Sequence, residues 1–238
     1  AAQGDLGMSY SSKKPVVDRM LEALPGTVAL AGTALVFTLL YALPAGIISA
    51  LNRNKWIDYL LRAASFVGVS MPTFWLGLVL IYIFGLKLGL VPIASSRVTA
   101  TGVILPAISL AVVVGSKYMR QVRLVILEEM QKDYVIGARA RGVSEVKILF
   151  GHILPNAVLP LITILGVLIG WLLGGVAVVE MVFSWPGLGN MAVYAITMRD
   201  YPLIEGFVLW VALAYMCINA LVDASYILLD PRLKRERA

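Results

Sequence analysis

Residues able to do covalent or acid–base chemistry are scarce in this chain, and that scarcity excludes most catalytic schemes. His152 is the single histidine and Cys217 the single cysteine. Neither a multi-histidine metal site nor a cysteine cluster nor an internal disulfide can therefore form within the chain. No G-x-S-x-G elbow and no G-x-x-x-x-G-K-[ST] phosphate loop occurs, so nucleotide binding of that kind belongs elsewhere. His152 adjoins an apolar run and reads as a hydrogen-bonding structural group rather than a metal ligand. Asp223 lies inside an apolar stretch, where a carboxylate needs an internal partner. It stands seven residues before Asp230 and a basic tail, so pairing there is favoured over a proton relay. Asp200 and Glu205 are expected to sit at the opposite edge and stay hydrated.

The richest local grammar is at Asp133–Asn156, DYVIGARARGVSEVKILFGHILPN. Asp133 suits the N-cap of a short helix Tyr134–Arg141, and Gly142 suits the left-handed residue that ends one. Ser144 can cap a second helix from Glu145 that leads through His152 and Pro155 into an apolar run. Gly137, Ala138 and Ala140 would let another surface approach closely, and Arg139 and Arg141 could pair with acidic groups on it. A solvated basic loop is the alternative, but charge alone would not require a helix–glycine–helix pattern.

The elements that hold this segment are set by composition. Of 238 residues 60% are hydrophobic and 14% charged, with a mean hydropathy of +0.86, far from the make-up of a soluble domain. An all-α integral membrane protein is expected. Five stretches approach the roughly 20 residues needed to cross a bilayer: about 27–51, 60–86, 102–116, 154–179 and 203–229. Lys and Arg fall unevenly between them. The side carrying Arg53, Lys55, Arg62, Lys117, Arg120, Arg123, Lys132, Arg139, Arg141, Lys147 and the tail has fourteen, and the other has six. The excess marks the cytoplasmic side, and the net charge of +6 reflects bilayer orientation rather than nucleic-acid binding. Residues 1–26 are then an external segment without the features of a signal peptide, 27–229 one helical membrane domain, and 230–238 a basic cytoplasmic tail. An external start with five spans implies a sixth, N-terminal span upstream if the native N-terminus is inside. Pro44, Pro72, Pro106, Pro155 and Pro160 are expected to kink or interrupt helices.

Two further segments stand out. In Gly68–Trp75, GVSMPTFW, Pro72 breaks the helix while Ser70 and Thr73 supply hydroxyls and Met71 and Trp75 apolar surface. The run reads either as pathway lining or as a structural kink filled by Trp75. Segment 180–202 is external yet apolar, with Phe183, Trp185, Leu188, Met191 and Tyr194. It reads as re-entrant or interfacial with a turn at Pro186-Gly187, closing an outer gate, receiving a partner, or anchoring at lipid through Trp185 and Tyr194.

These motifs resemble those of ABC-importer permeases. Ala138, Gly142, Leu154 and Pro155 fall at positions of the permease signature. Ile136-Gly137 replaces its leading Glu-Ala, and His152 replaces its Ile. ARARG at Ala138–Gly142 followed by HILPN at His152–Asn156 is similar to the peptide/nickel subfamily. GDLGMS at Gly4–Ser9, FSWPGLG at Phe183–Gly189, RDYP at Arg199–Pro202 and LDPR at Leu229–Arg232 extend the resemblance over nearly the whole chain.

The resemblance implies a type I ABC-importer transmembrane domain in a prokaryotic inner membrane. It also implies a second homologous permease, two cytoplasmic ABC ATPases that bind ATP and Mg, and an external substrate-binding protein. No cofactor is expected in this chain. The coupling segment 133–152, with Tyr134, Ala138, Arg139, Ala140, Arg141, Gly142, Ser144 and Glu145, would dock on an ATPase. Ser70, Met71, Pro72, Thr73 and Trp75 would line the path, and Phe183, Trp185, Pro186 and Gly187 the outer gate or binding-protein contact. The cargo implied is a small peptide or a nickel chelate, the short linker Lys87–Thr101 leaning toward nickel-type members. An ion-coupled secondary transporter would show inverted repeats and charged midplane sites, and a membrane enzyme a nucleophile–base constellation; neither pattern is visible.

Overall fold

The structure is a computed structural model that describes residues 6–229; the basic tail and the first residues of the GDLGMS motif lie outside them. Among the described residues it is all-helical apart from one antiparallel bridge, Met8 with Pro15. Ten α-helices follow in order: α1 Val16–Leu51, α2 Trp56–Ser70, α3 Thr73–Leu80, α4 Ile104–Met130, α5 Asp133–Ala140, α6 Glu145–Ile148, α7 Leu154–Gly175, α8 Ala177–Val182, α9 Leu188–Thr197 and α10 Tyr201–Leu229. Two π-helical segments, Ile81–Lys87 and Leu149–Ile153, extend α3 and join α6 to α7.

Among the described residues three helices are long and apolar enough to cross a bilayer, within Val16–Leu51, Glu145–Leu173 and Tyr201–Ser225. A fourth span arises if α2 and α3 are counted as one. Of the five apolar stretches read from the sequence, the second and third do not each form one helix that is long and apolar enough by itself. The second is interrupted at Met71-Pro72, because proline disfavours α geometry in the residue before it and cannot donate into the helix. The third is apolar only over 104–116, and Lys117, Arg120 and Arg123 follow in the same helix. Proline alone does not decide such breaks: α1 stays helical through Pro25 and Pro44, and α7 through Pro160.

The described residues fall into two compact units, to both of which α1, α4, α7 and α10 contribute. One comprises 6–37, Met71–Val113 and Ile169–Cys217. Its core joins Val16 and Met20 of α1, Leu188, Met191 and Ala195 of α9, and Leu203 of α10. The other comprises Thr38–Ser70, Val114–Leu168 and 218–229. Its core joins Ala42 and Ala50 of α1 to Tyr118, Met119, Val122 and Ile126 of α4, and to Ile148, Ile153 and Leu161. Gly46 lets α1 approach α4 closely, since a Cβ there would meet the Val122 side chain at 2.7 Å and the Met119 carbonyl at 2.8 Å. Small residues at such contacts are how membrane helices gain packing energy.

Candidate functional site

Segment 133–150 has one face sunk in its unit's core and one face bare. Val135 and Ala138, one helical turn apart, are buried with Ile148 and Leu149. Ala138 is thus a core residue and does not offer close approach to another surface. Lys132, in extended geometry, precedes α5, and Asp133 is the helix's first residue rather than its cap. The end of α5 is a Schellman arrangement: Gly142 N–H donates to the Arg139 carbonyl (2.9 Å) and Val143 N–H to the Ala138 carbonyl (3.2 Å). That arrangement needs a left-handed residue, and Gly142 supplies it with φ +77°. Ser144 precedes α6 in extended geometry, and its carbonyl accepts from Ile148 N–H at 2.9 Å; its hydroxyl makes no capping bond.

Electrostatics tie the two short helices together. Arg139 donates from Nε to Glu145 Oε1 (2.7 Å) and from Nη2 to Oε2 (3.0 Å). Arg139 is therefore already paired within the chain, whereas exposed Arg141 carries no salt bridge among the described residues. Tyr134 Oη–H donates to Glu129 Oε2 at 2.6 Å. Burial and the Glu129 carboxylate push this phenol up to about 12, so it remains a neutral donor. Ala140, Arg141, Gly142, Ser144 and Glu145 are all exposed. Ile136 and Val146 stand beside them 54% and 68% exposed. Such apolar residues flanking charged ones are the composition of a contact surface.

The residues of the α2–α3 break lie as follows. Ser70 is exposed and its hydroxyl is used within α2, donating to the Phe66 carbonyl at 2.8 Å. Met71 and Thr73 are half-buried and Pro72 is exposed. Trp75 is 47% exposed, so it does not fill the kink.

Segment 180–202 departs further from expectation. Phe183, Trp185 and Gly187 are buried and only Pro186 is partly open. Trp185 Nε1–H donates to the Gly26 carbonyl at 2.8 Å, so it is a core anchor and not a lipid-interface residue; Tyr194 keeps that exposure. The turn's left-handed residue is Ser184, φ +51°. Gly187 is extended, and it is glycine because a Cβ there would overlap the Glu180 carboxylate.

Glu180, buried and missed in the sequence, organises this turn. It accepts from Thr27 Oγ1 (2.7 Å) and Asn190 N–H (2.9 Å). Thr27 Oγ1 in turn accepts Leu188 N–H at 2.8 Å. A lone carboxylate ending the 154–179 apolar run was the available signal. A 370 Å³ pocket lined by Arg19, Glu22, Pro186, Asn190 and Tyr194 opens beside it.

Asp200 is likewise buried, contrary to the hydrated edge residue expected; Glu205 is exposed. Its Oδ2 accepts from Ser9 Oγ (2.6 Å), Ser11 N–H (2.9 Å) and Ser11 Oγ (2.8 Å), fastening the 7–15 loop. Burial works to raise this carboxyl, but the serine and backbone donors outweigh it and hold it well below the usual range. A depressed carboxylate stabilises the fold above its unfolded pKa of about 4, and that contribution is lost as pH falls through the folded value. Thermal melts should therefore show wild-type stability dropping on acidification below about pH 4, with a flatter profile for Asp200→Asn. Identical slopes would remove Asp200 as the source.

His152 is half-buried, and its carbonyl accepts from Asn156 Nδ2 at 2.6 Å. No group of three His, Cys, Asp or Glu converges among the described residues. Asp223 is exposed on α10, and its expected partners in the tail are outside those residues.

Residues 42–235 match the family described as binding-protein-dependent transport system inner membrane component. Over 234 residues the chain is 38% identical to the glutathione transport system permease protein GsiC of Escherichia coli (strain K12), covering 98% of this chain and 76% of that protein. GsiC of Shigella flexneri serotype 5b matches at the same identity and coverage. In fold the chain is similar to the MetNI methionine ABC transporter in an inward-facing conformation, with TM-score 0.73 at 20% identity, covering 89% of this chain and 96% of that one. An amino acid ABC transporter crystallised with histidines follows at TM-score 0.65 and 17% identity, over 87% and 92%.

Proposed function

The chain belongs to the binding-protein-dependent transport system inner membrane components, and we propose that it is a pathway-forming permease subunit of an ATP-driven importer in a prokaryotic cytoplasmic membrane. In this reading it pairs with a second permease, two cytoplasmic ATPases that bind ATP and Mg, and an external substrate-binding protein. The observation that carries the reading is the two-faced coupling segment. Val135, Ala138 and Ile148 root it in the core, while Ile136, Arg141, Gly142 and Val146 face outward. A rooted helix pair transmits a push, whereas a tethered loop would absorb it.

A small peptide is the cargo we favour, on the 38% likeness to a glutathione permease. A nickel ion would pass the same path only as a chelate of similar size, since a bare ion needs converging ligands. The broken α2–α3 stretch, with Trp75 open, supplies pathway surface. The outer segment offers Pro186, Asn190 and Tyr194 to the binding protein, and Phe183 and Trp185 hold it rigid from within.

The test is an Ile136→Glu/Val146→Glu variant. Both side chains are exposed, so its melting behaviour should stay within about 0.5 kcal/mol of wild type. Recovery of ATPase with the purified permease and substrate-stimulated ATP hydrolysis should each fall at least about 10-fold. Unchanged ATPase recovery and hydrolysis would overturn the docking role.

A further inference from the structure

A second polar site lies away from the coupling segment, between α2 and α4 within one unit. Arg62 and Phe66 of α2 and Arg120, Gln121, Arg123 and Leu124 of α4 line a pocket of 310 Å³. Arg123 is neutralised by Asp58, donating to both its oxygens at 2.8 Å. Arg62 and Arg120 make no salt bridge among the described residues. Each is instead set against an aromatic ring, Arg120 at 5.2 Å from the centre of Phe66 and Arg62 at 5.9 Å from Tyr59. A cation–π contact restrains a guanidinium without using its N–H groups, which stay free to donate. The pocket therefore has two positioned, uncompensated forks, the Gln121 amide, and an apolar floor of Phe66 and Leu124, each about half exposed.

We propose that this pocket binds the phosphate of an anionic phospholipid headgroup, with the acyl chains lying over Phe66 and Leu124. Arg forks match phosphate oxygens bidentately, and a fixed pair of them outbids a single surface lysine for that geometry. The floor selects the source. A free phosphate ion would leave Phe66 and Leu124 wet, whereas a lipid covers them with hydrocarbon. Arg62 lies two residues into the apolar stretch 60–86, the depth at which an arginine reaches toward headgroups. Basic pockets between membrane helices are a recurrent form of lipid recognition. The inference requires only placement in a membrane, so it stands or falls separately from the coupling role.

The test uses the full-length protein with its co-purifying chains in nanodiscs of equal parts phosphatidylglycerol and phosphatidylcholine, with retained lipid counted by native mass spectrometry. Wild type should retain phosphatidylglycerol selectively. Arg62→Gln/Arg120→Gln should retain about 30-fold less, from about one kcal/mol for each lost charge. Arg53→Gln/Lys55→Gln, the same charge change outside the pocket, should match wild type. If the double variant does not accumulate, Arg120→Lys, which keeps the charge but loses the fork, should still lower retention. Equal retention by wild type and pocket variants overturns the proposal. So does displacement of the lipid by millimolar inorganic phosphate, which would make the site one for the free ion. Loss of a protein chain in place of the lipid would make the pocket a subunit contact and overturn it as well.

Discussion

An Arg123→Met variant is expected to lose about 3–5 kcal/mol of stability, the effect of removing one partner from a buried ion pair. Asp58 is completely buried in the first turns of α2. It accepts from Ser49 Oγ at 2.6 Å, from Asn54 N–H at 3.0 Å, and from Nε and Nη2 along one edge of the Arg123 guanidinium. One carboxylate thus fastens the end of α1, the 52–55 turn, α2 and α4. Without Arg123 the charge stays buried with two neutral donors, and the least unfavourable escape is protonation or local opening of α2. The yield of monodisperse protein and its apparent melting temperature would report the loss. Asp58→Asn combined with Arg123→Met removes both charges together and should recover most of it. A single variant as stable as wild type would mean that Ser49 and Asn54 suffice and that the bidentate pair adds nothing.

Legibility in the sequence followed the range of the interactions. Gly142 and the two short helices were readable because a Schellman end is decided by residues four or five apart. Asp58, Glu180 and Asp200 were not, because the partners that bury them, Arg123, Thr27 and Ser9 with Ser11, are 65, 153 and 189–191 residues away. No local pattern announces such a pair. The same limit explains Trp185. Its composition suits a membrane interface, and only the Gly26 carbonyl, on a helix far away in sequence, makes it a core residue. Spans were legible where hydropathy was uniform, as in α1 and α10. The break at Pro72 and the onset of charge after Ser116 within one continuing helix were legible too, from a proline and a lysine in the local sequence. The family resemblance did not depend on any of this, because its motifs among the described residues sit at helix ends and turns, where local sequence does decide geometry.

Substitutions at Gly142 should separate geometry from bulk at the α5–α6 corner that we propose docks on an ATPase. A Cβ added there meets no atom within 4 Å of the chain itself, so steric overlap inside the protein is not the constraint. The constraint is φ +77°, which costs an ordinary residue about 1–2 kcal/mol, a β-branched one more, and asparagine least. If the corner works by its backbone, import by the assembled transporter should decline in the order Gly142→Asn, Gly142→Ala, Gly142→Val. The valine variant is expected to fall by about 10-fold or more, since relieving its strain reorients α6 relative to α5. Membrane insertion should hardly change, and melting temperature should fall by no more than the several degrees that strain of about 1–2 kcal/mol implies, because Val135, Ala138 and Ile148 keep the segment rooted while only its outer edge turns. The Arg139–Glu145 pair is too exposed to hold the corner against that strain. If asparagine and valine instead reduce import equally, added volume matters and backbone angle does not. Gly142 would then be glycine because a partner surface lies directly against it.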